Sequence, residues 1–148
     1  MNIIKDINLL RRPCYPVDSV ADGLVIAKKL LKVLSDIPEG VGLAANQIGI
    51  NKRVCVVKVL GPVVLINPQI ISGFKKIKYK EACLSFPGTY INTERFANIM
   101  VTTDNHRTPL LFSEEKNLLE CVCVQHEIDH LNSITMFDRE LKEKDFGE

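Results

Sequence analysis

The segment 114–132, EEKNLLECVCVQHEIDHLN, carries the pattern from which the rest of the chain can be read. Within it, His126-Glu127-Ile128-Asp129-His130 sets two histidines four residues apart around a glutamate. The segment reads as a helix from about Glu114 to Asn132. Ser113 suits the N-cap, and Glu114 and Glu115 suit the positive end of the helix dipole. Residues four apart on a helix stack one turn apart, so both imidazoles can grip one metal ion. Glu127 is rotated by about 100° from His126 and can reach a water beside that ion without ligating it. Val122 and Leu118 continue the same face, with Leu119 and Cys123 alongside, so the histidines are expected to point into the core. The plain alternative is a chance grouping, but the whole chain has only three histidines, and two of them stand here.

Working outward, Ser19 and Asp22 give a Ser-x-x-acid start to a helix over Val20 to Ser35. Val20, Leu24, Ala27, Leu31 and Leu34 are predicted on its buried face, and Pro38 and Gly40 close it. Residues 40–49, GVGLAANQIG, hold residues too small for a good strand and too many glycines for a helix. Arg53 to Leu60 is rich in β-branched residues, Gly61-Pro62 marks a turn, and Val63 to Ile66 resumes the strand pattern. Ile70 to Phe86 holds several short strand candidates. Asn98 to Thr103 and Thr108 to Phe112 flank a hairpin loop at 104–107. The order helix, strands, helix predicts an α+β fold rather than alternating βα units.

Composition agrees. A chain of 148 residues is the size of one domain, expected over 1–148. With 46% apolar and 25% charged residues it is not a disordered chain. A net charge of +1 argues against nucleic-acid coating, and Lys75, Lys76, Lys78 and Lys80 are the nearest approach to a basic patch. No apolar run approaches the ~20 residues of a membrane helix. MNIIKDINLL reads as neither a signal nor a transit peptide, so a cytoplasmic protein is expected. The five cysteines are odd in number and form no CxxC pair, which predicts free thiols in a reducing compartment.

Two histidines leave a third metal ligand to find. Cys83, in the strand-to-turn segment EACLSFPG (81–88), is the best candidate, with Cys14, Cys55, Cys121 and His106 still open. Here a resemblance becomes specific. GVGLAANQIG (40–49), EACLSFPG (81–88) and QHEIDHLNS (125–133) resemble, in order, the three signatures of peptide deformylases. The resemblance implies mostly antiparallel strands packed around a central C-terminal helix that carries the His-Glu-x-x-His motif, plus an N-terminal helix. It implies metal binding by Cys83, His126 and His130, with Glu127 as general base and then acid. Gln47 and the backbone N–H of Leu84 would form the oxyanion hole. Val41, Gly42, Glu81, Val122 and Cys123 would bind substrate. Arg95, with Asp129 as partner, resembles the arginine that follows the second signature.

The implied reaction is hydrolysis of the N-formyl group from the formyl-methionine of nascent polypeptides, releasing formate. The implied cofactor is one divalent ion, Fe²⁺ in the family's usual form, with Zn²⁺, Ni²⁺ and Co²⁺ also suited to a thiolate and two imidazoles. The expected partner is the formyl-methionyl nascent peptide, met by a monomer in transient proximity to the ribosome. Neither nucleic acid nor membrane is expected as a partner. Two alternatives stand beside this reading. A zinc endopeptidase would take its third ligand downstream of the helix, from Glu140 or Glu143. A non-catalytic binding module would need neither Glu127 nor Gln47. Three departures from the family pattern stand out: Ala82 in place of a glycine, the short Leu60-Gly61-Pro62 connection, and a tail of only LKEKDFGE after Glu140. Many bacterial members continue there into a helix that helps docking near the ribosomal exit.

Overall fold

Two three-stranded sheets flank one helix in the computed structural model, which describes residues 2–142. The first sheet has the order β1 (Gly42–Ala44), β2 (Val54–Lys58), β3 (Pro62–Ile66). The second has β4 (Gln69–Cys83), β5 (Phe86–Thr102), β6 (Leu110–Ser113). Every neighbouring pair is antiparallel. A one-turn helix α1 (Ile7–Leu10) and the longer α2 (Val20–Ser35) precede the sheets, and α3 (Glu114–Leu131) follows them. This is the α+β order that the sequence predicts.

Helix α2 has the predicted bounds, and Ser19 caps it by accepting a hydrogen bond from the Asp22 N–H at 3.1 Å. Its buried stripe differs from the predicted one. Gly23, Ala27, Leu30 and Leu34 face inward, while Leu24 is 48% exposed. Gly23 sets this rotation: a Cβ there would stand 2.7 Å from a side-chain carbon of Ile66 on β3. The bare backbone at Gly23 lets the helix lie directly on the sheet, and Leu24 is turned to solvent as a result.

The region 70–86 is not a set of short strands. It is the outgoing arm of one long hairpin, with β4 and β5 paired from Gln69↔Thr102 to Cys83↔Phe86 and a first register shift between Ile70 and Ser72. Lysines at alternate positions keep its outer face polar, and the ladder with β5 supplies the order that local propensity lacks. An irregularity between Ala82 and Cys83 breaks the register at the tip. Such bulges re-aim a side chain, here that of Cys83. The predicted loop at 104–107 does join two paired strands, β5 and β6.

Helix α3 departs from expectation twice. Its backbone leaves helical geometry at Asn117 (φ −170°, ψ 111°), so Ser113 caps only the first turn. Asn117 then caps the rest by accepting from the Glu120 N–H at 2.9 Å. The second part is also not a one-sided stripe, because every residue from Glu120 to Leu131 is buried. The helix packs against β1 and β2 on one side and β5 and β6 on the other, which covers all its faces. Its last carbonyls receive a cation: Arg53 donates from Nη1 to the Leu131 oxygen at 2.8 Å.

Candidate metal centre and catalytic site

The glycine-rich segment 40–49, which local sequence assigns to neither strand nor helix, divides into β1 and a 3₁₀ turn over Ala45–Ile48. Gly49 ends the turn at φ +85°, a conformation that favours glycine. The turn delivers Gln47, which is fully buried. The Gln47 Oε1 accepts from the Ala44 N–H at 2.9 Å. With its oxygen fixed there, the amide nitrogen faces the other way, 3.1 Å from Ser85 Oγ and 3.7 Å from Cys83 Sγ.

Cys83, His126 and His130 come together from the hairpin tip and from α3. One donor atom from each lies within 4.8 Å of the others, and all three residues are buried. His130 Nε2 stands 3.4 Å from Cys83 Sγ and 3.2 Å from His126 Nε2. The other ring nitrogen of His126, Nδ1, lies 2.8 Å from Glu81 Oε1. A carboxylate can only accept, so Nδ1 carries a proton; although burial opposes it, Glu127, Cys83 and Glu81 hold the His126 pKa well above its usual range, so a cation arriving at the cluster would displace the Nε2 proton to take that lone pair. Burial and the nearby His126 push the His130 pKa well down, which keeps that ring neutral. Two ring nitrogens and a sulfur that converge in this way suit a divalent cation. A bound cation would take them as two imidazoles and a thiolate.

Glu127 lies beside them, 3% exposed, and its Oε1 has no hydrogen-bond partner. Its Oε2 is 3.9 Å from Cys123 Sγ. Burial pushes its pKa up to about 7, partly opposed by His126. Gly42 crosses directly above it. A Cβ on Gly42 would stand 2.6 Å from Cys123 Sγ and 2.7 Å from Glu127 Oε2. Gly42→Ala is therefore expected to displace the carboxylate and to cost about 1–3 kcal/mol of stability, the usual range for overpacking. Thermal melting and the rate of the reaction, measured together, check this.

Glu81, expected among the substrate-binding residues, has both carboxylate oxygens engaged elsewhere. Arg95 donates to Oε2 from Nε at 2.5 Å and to Oε1 from Nη2 at 2.9 Å, and Thr93 donates to Oε2. Although burial opposes it, Arg95 and His126 hold Glu81 down to about 2. Arg95 also reaches Asp129 Oδ2 at 2.6 Å, the partner suggested by sequence. Glu81 nonetheless lines, with Val41, Gly42, Leu84, Val122 and Cys123, one open cleft of about 1250 Å³ together with Gln47, Cys83, His126 and Glu127. Leu119, set by the sequence beside the site face of the helix, lines it too, as does Tyr79, which nothing in the local sequence singles out. Thr93 and Arg139 carry no local mark, because they are brought to the site only by strand pairing and by the turn after α3, whereas Ser85 stands within the 81–88 segment without a role assigned to it.

The other candidate ligands lie elsewhere. Cys121 Sγ faces the backbone oxygens of Ala97 and Phe112. His106, in the loop after β5, is partly covered, with Nδ1 2.7 Å from Thr103 Oγ1. Cys14 and Cys55 pack in the hydrophobic core. Glu140, one of the two ligands the endopeptidase alternative would use, is exposed in a bridge to Thr93. Glu143 lies outside the described residues, as does most of the short tail.

A thiol, two imidazoles and a neighbouring buried carboxylate at the foot of a cleft are a set of groups of the kind that mononuclear metallohydrolases use. The family model described as polypeptide deformylase matches residues 2–146. The chain belongs to the polypeptide deformylase family. It is 41% identical to the peptide deformylase of Aquifex aeolicus, over 88% of this chain and 81% of that one. The crystal structure of the peptide deformylase from Thermotoga maritima superposes with a TM-score of 0.82 at 30% identity, covering 96% of this chain and 97% of that one. A peptide deformylase from Synechococcus elongatus in complex with actinonin gives 0.83 at 33% identity, covering 98% and 80%.

Proposed function

We propose that Cys83, His126 and His130 hold the catalytic metal of a peptide deformylase, and that Glu127, Gln47 and Leu84 carry its chemistry. The enzyme removes the N-formyl group from nascent peptides. The observation that carries the assignment of roles is the convergence of the three donors beside an unpartnered, buried carboxylate oxygen. When bound, a divalent ion supplies Lewis acidity, which acidifies water and polarises a carbonyl. Glu127 takes the proton of the attacking water and passes it to the departing amine. A pKa near neutrality suits a group that must do both. As the formyl carbon becomes tetrahedral its oxygen gains charge. The Gln47 amide, with its NH₂ fixed toward the cluster, and the Leu84 N–H donate to that oxygen. Val41, Val122 and Cys123 give apolar walls for the methionine side chain, and the backbone of Gly42, held close against Cys123 and Glu127, contacts the peptide.

Gln47→Ala is expected to lower kcat by roughly 10²–10³ while leaving metal content unchanged, the usual loss for one oxyanion donor. Steady-state rates beside metal analysis check it. For the physiological ion we propose Fe²⁺, with Zn²⁺, Ni²⁺ or Co²⁺ accepted by the same donors. We further propose that residues 1–148 act as one catalytic domain, as a monomer in the cytoplasm and in transient proximity to the ribosome that supplies its substrate. No helix among the described residues is long and apolar enough to cross a membrane. The deciding experiment is formate release from formyl-Met-Ala-Ser by anaerobically purified, Fe²⁺-loaded protein. Stoichiometric formate supports the reading, and no release from protein shown to hold metal overturns it.

A further inference from the structure

Beyond the ligands runs an unbroken line of alternating charges. His126 donates to Glu81, Glu81 is gripped through both oxygens by Arg95, and Arg95 donates to Asp129 Oδ2. Asp129 is in turn gripped by Arg139, from Nε to Oδ2 at 3.1 Å and from Nη2 to Oδ1 at 3.0 Å. The side chains of Glu81, Arg95 and Asp129 are almost fully buried, whereas Arg139 is 45% exposed. Arg139 belongs to a 3₁₀ turn, Met136–Arg139, pinned by Asp138, which accepts from the Thr135 N–H and from Arg11. We infer that Arg139 is a positioning residue for the metal centre, acting through Asp129, Arg95 and Glu81 on the ring of His126.

The physical reason lies in the balance of the line. With Arg139 in place, two carboxylates face two guanidiniums, and Asp129 Oδ1 has its donor. Without it, two buried carboxylates compete for one guanidinium, and Asp129 Oδ1 loses its guanidinium donor, an arrangement that burial penalises. Arg95 is then drawn between Asp129 and Glu81. Glu81 is the group that fixes the tautomer and orientation of His126, so looser hold on Glu81 is looser hold on the ligand. A purely Coulombic effect has the opposite sign, since removing a positive charge near a cation site favours the cation.

The inference rests on the metal-centre reading above and is tested by a direct metal readout. The full chain is loaded with zinc, and release to an excess of colorimetric chelator is timed. Arg139→Gln is expected to release zinc about tenfold faster, the lower end of the effect of losing a group that orients a ligand. Arg139→Lys keeps the charge but cannot grip both oxygens in a fork, and is expected to fall between it and the unaltered protein. By NMR of the zinc-loaded protein, the His126 Nδ1–H is expected to exchange with solvent faster in Arg139→Gln. A merely structural role would lower the melting temperature and leave both readouts unchanged. Release by Arg139→Gln at or below the unaltered rate overturns the inference. If the glutamine variant fails to fold, the lysine variant decides by the same criterion. An unaltered protein that never holds zinc overturns the metal-centre reading with it, whereas normal zinc retention with unchanged variants sinks this inference alone.

Discussion

Cys83→Ala protein is expected to emerge from gel filtration without stoichiometric metal and without activity. The thiol is one of three donors that converge, and the remaining pair, His126 and His130, comes from one helix alone. Removing a group that merely orients a ligand costs roughly 10–100-fold in affinity. Loss of the ligand itself is expected to exceed about 100-fold, because two neutral imidazoles remain and no thiolate offsets the charge of the cation. Metal analysis by mass spectrometry after desalting checks this. Retention of a full equivalent would return the third-ligand position to some other residue. The fold should survive the change, because the Cys83 side chain is small and sits at the hairpin tip.

Glu127→Gln is expected to show the opposite combination: full metal content and a kcat lowered by about 10²–10⁴, the range for a general base or acid. The amide keeps the shape of the carboxylate in the narrow space beneath Gly42 but cannot take up a proton. KM for formyl-Met-Ala-Ser is expected to change little, since the carboxylate is assigned to proton transfer and not to holding the peptide. Formate release beside metal analysis separates the two variants. A Glu127→Gln protein of normal rate would remove Glu127 from the mechanism while leaving the metal centre intact.

What the sequence discloses about this site follows the reach of each interaction along the chain. His126, Glu127 and His130 lie within one and a half turns of a helix, so helical periodicity alone brings them together. Cys83 is 43 residues from His126, and local patterning ranked it first without excluding its rivals. The resemblance to peptide deformylases singled it out. Arg139 and Thr93 are legible in no local pattern. The pairing of β4 with β5 and the turn after α3 put them in place, and both are tertiary events. The same holds for two errors in the fold. The rotation of α2 follows from the approach of Gly23 to Ile66, a contact between distant segments. The length of β4 follows from its partner strand, because a lysine-rich run has weak strand propensity of its own. The break at Asn117 had a local signal, an asparagine three residues before Glu120, but Ser113 offered the same type of cap four residues earlier.

The all-round burial of α3 has a consequence for how this molecule comes apart. Its C-terminal part carries two of the three donors, and Cys83 reaches them from the tip of the opposite hairpin. An ion held between them would tie the loop from 83 to 126 at its ends, as a cross-link does. The unfolded chain would then have to release the ion or forgo the freedom of a segment of more than forty residues. Ligand that binds only the folded chain adds to stability by mass action. A metal bound by these three residues would therefore also clasp the second sheet to the helix beneath it.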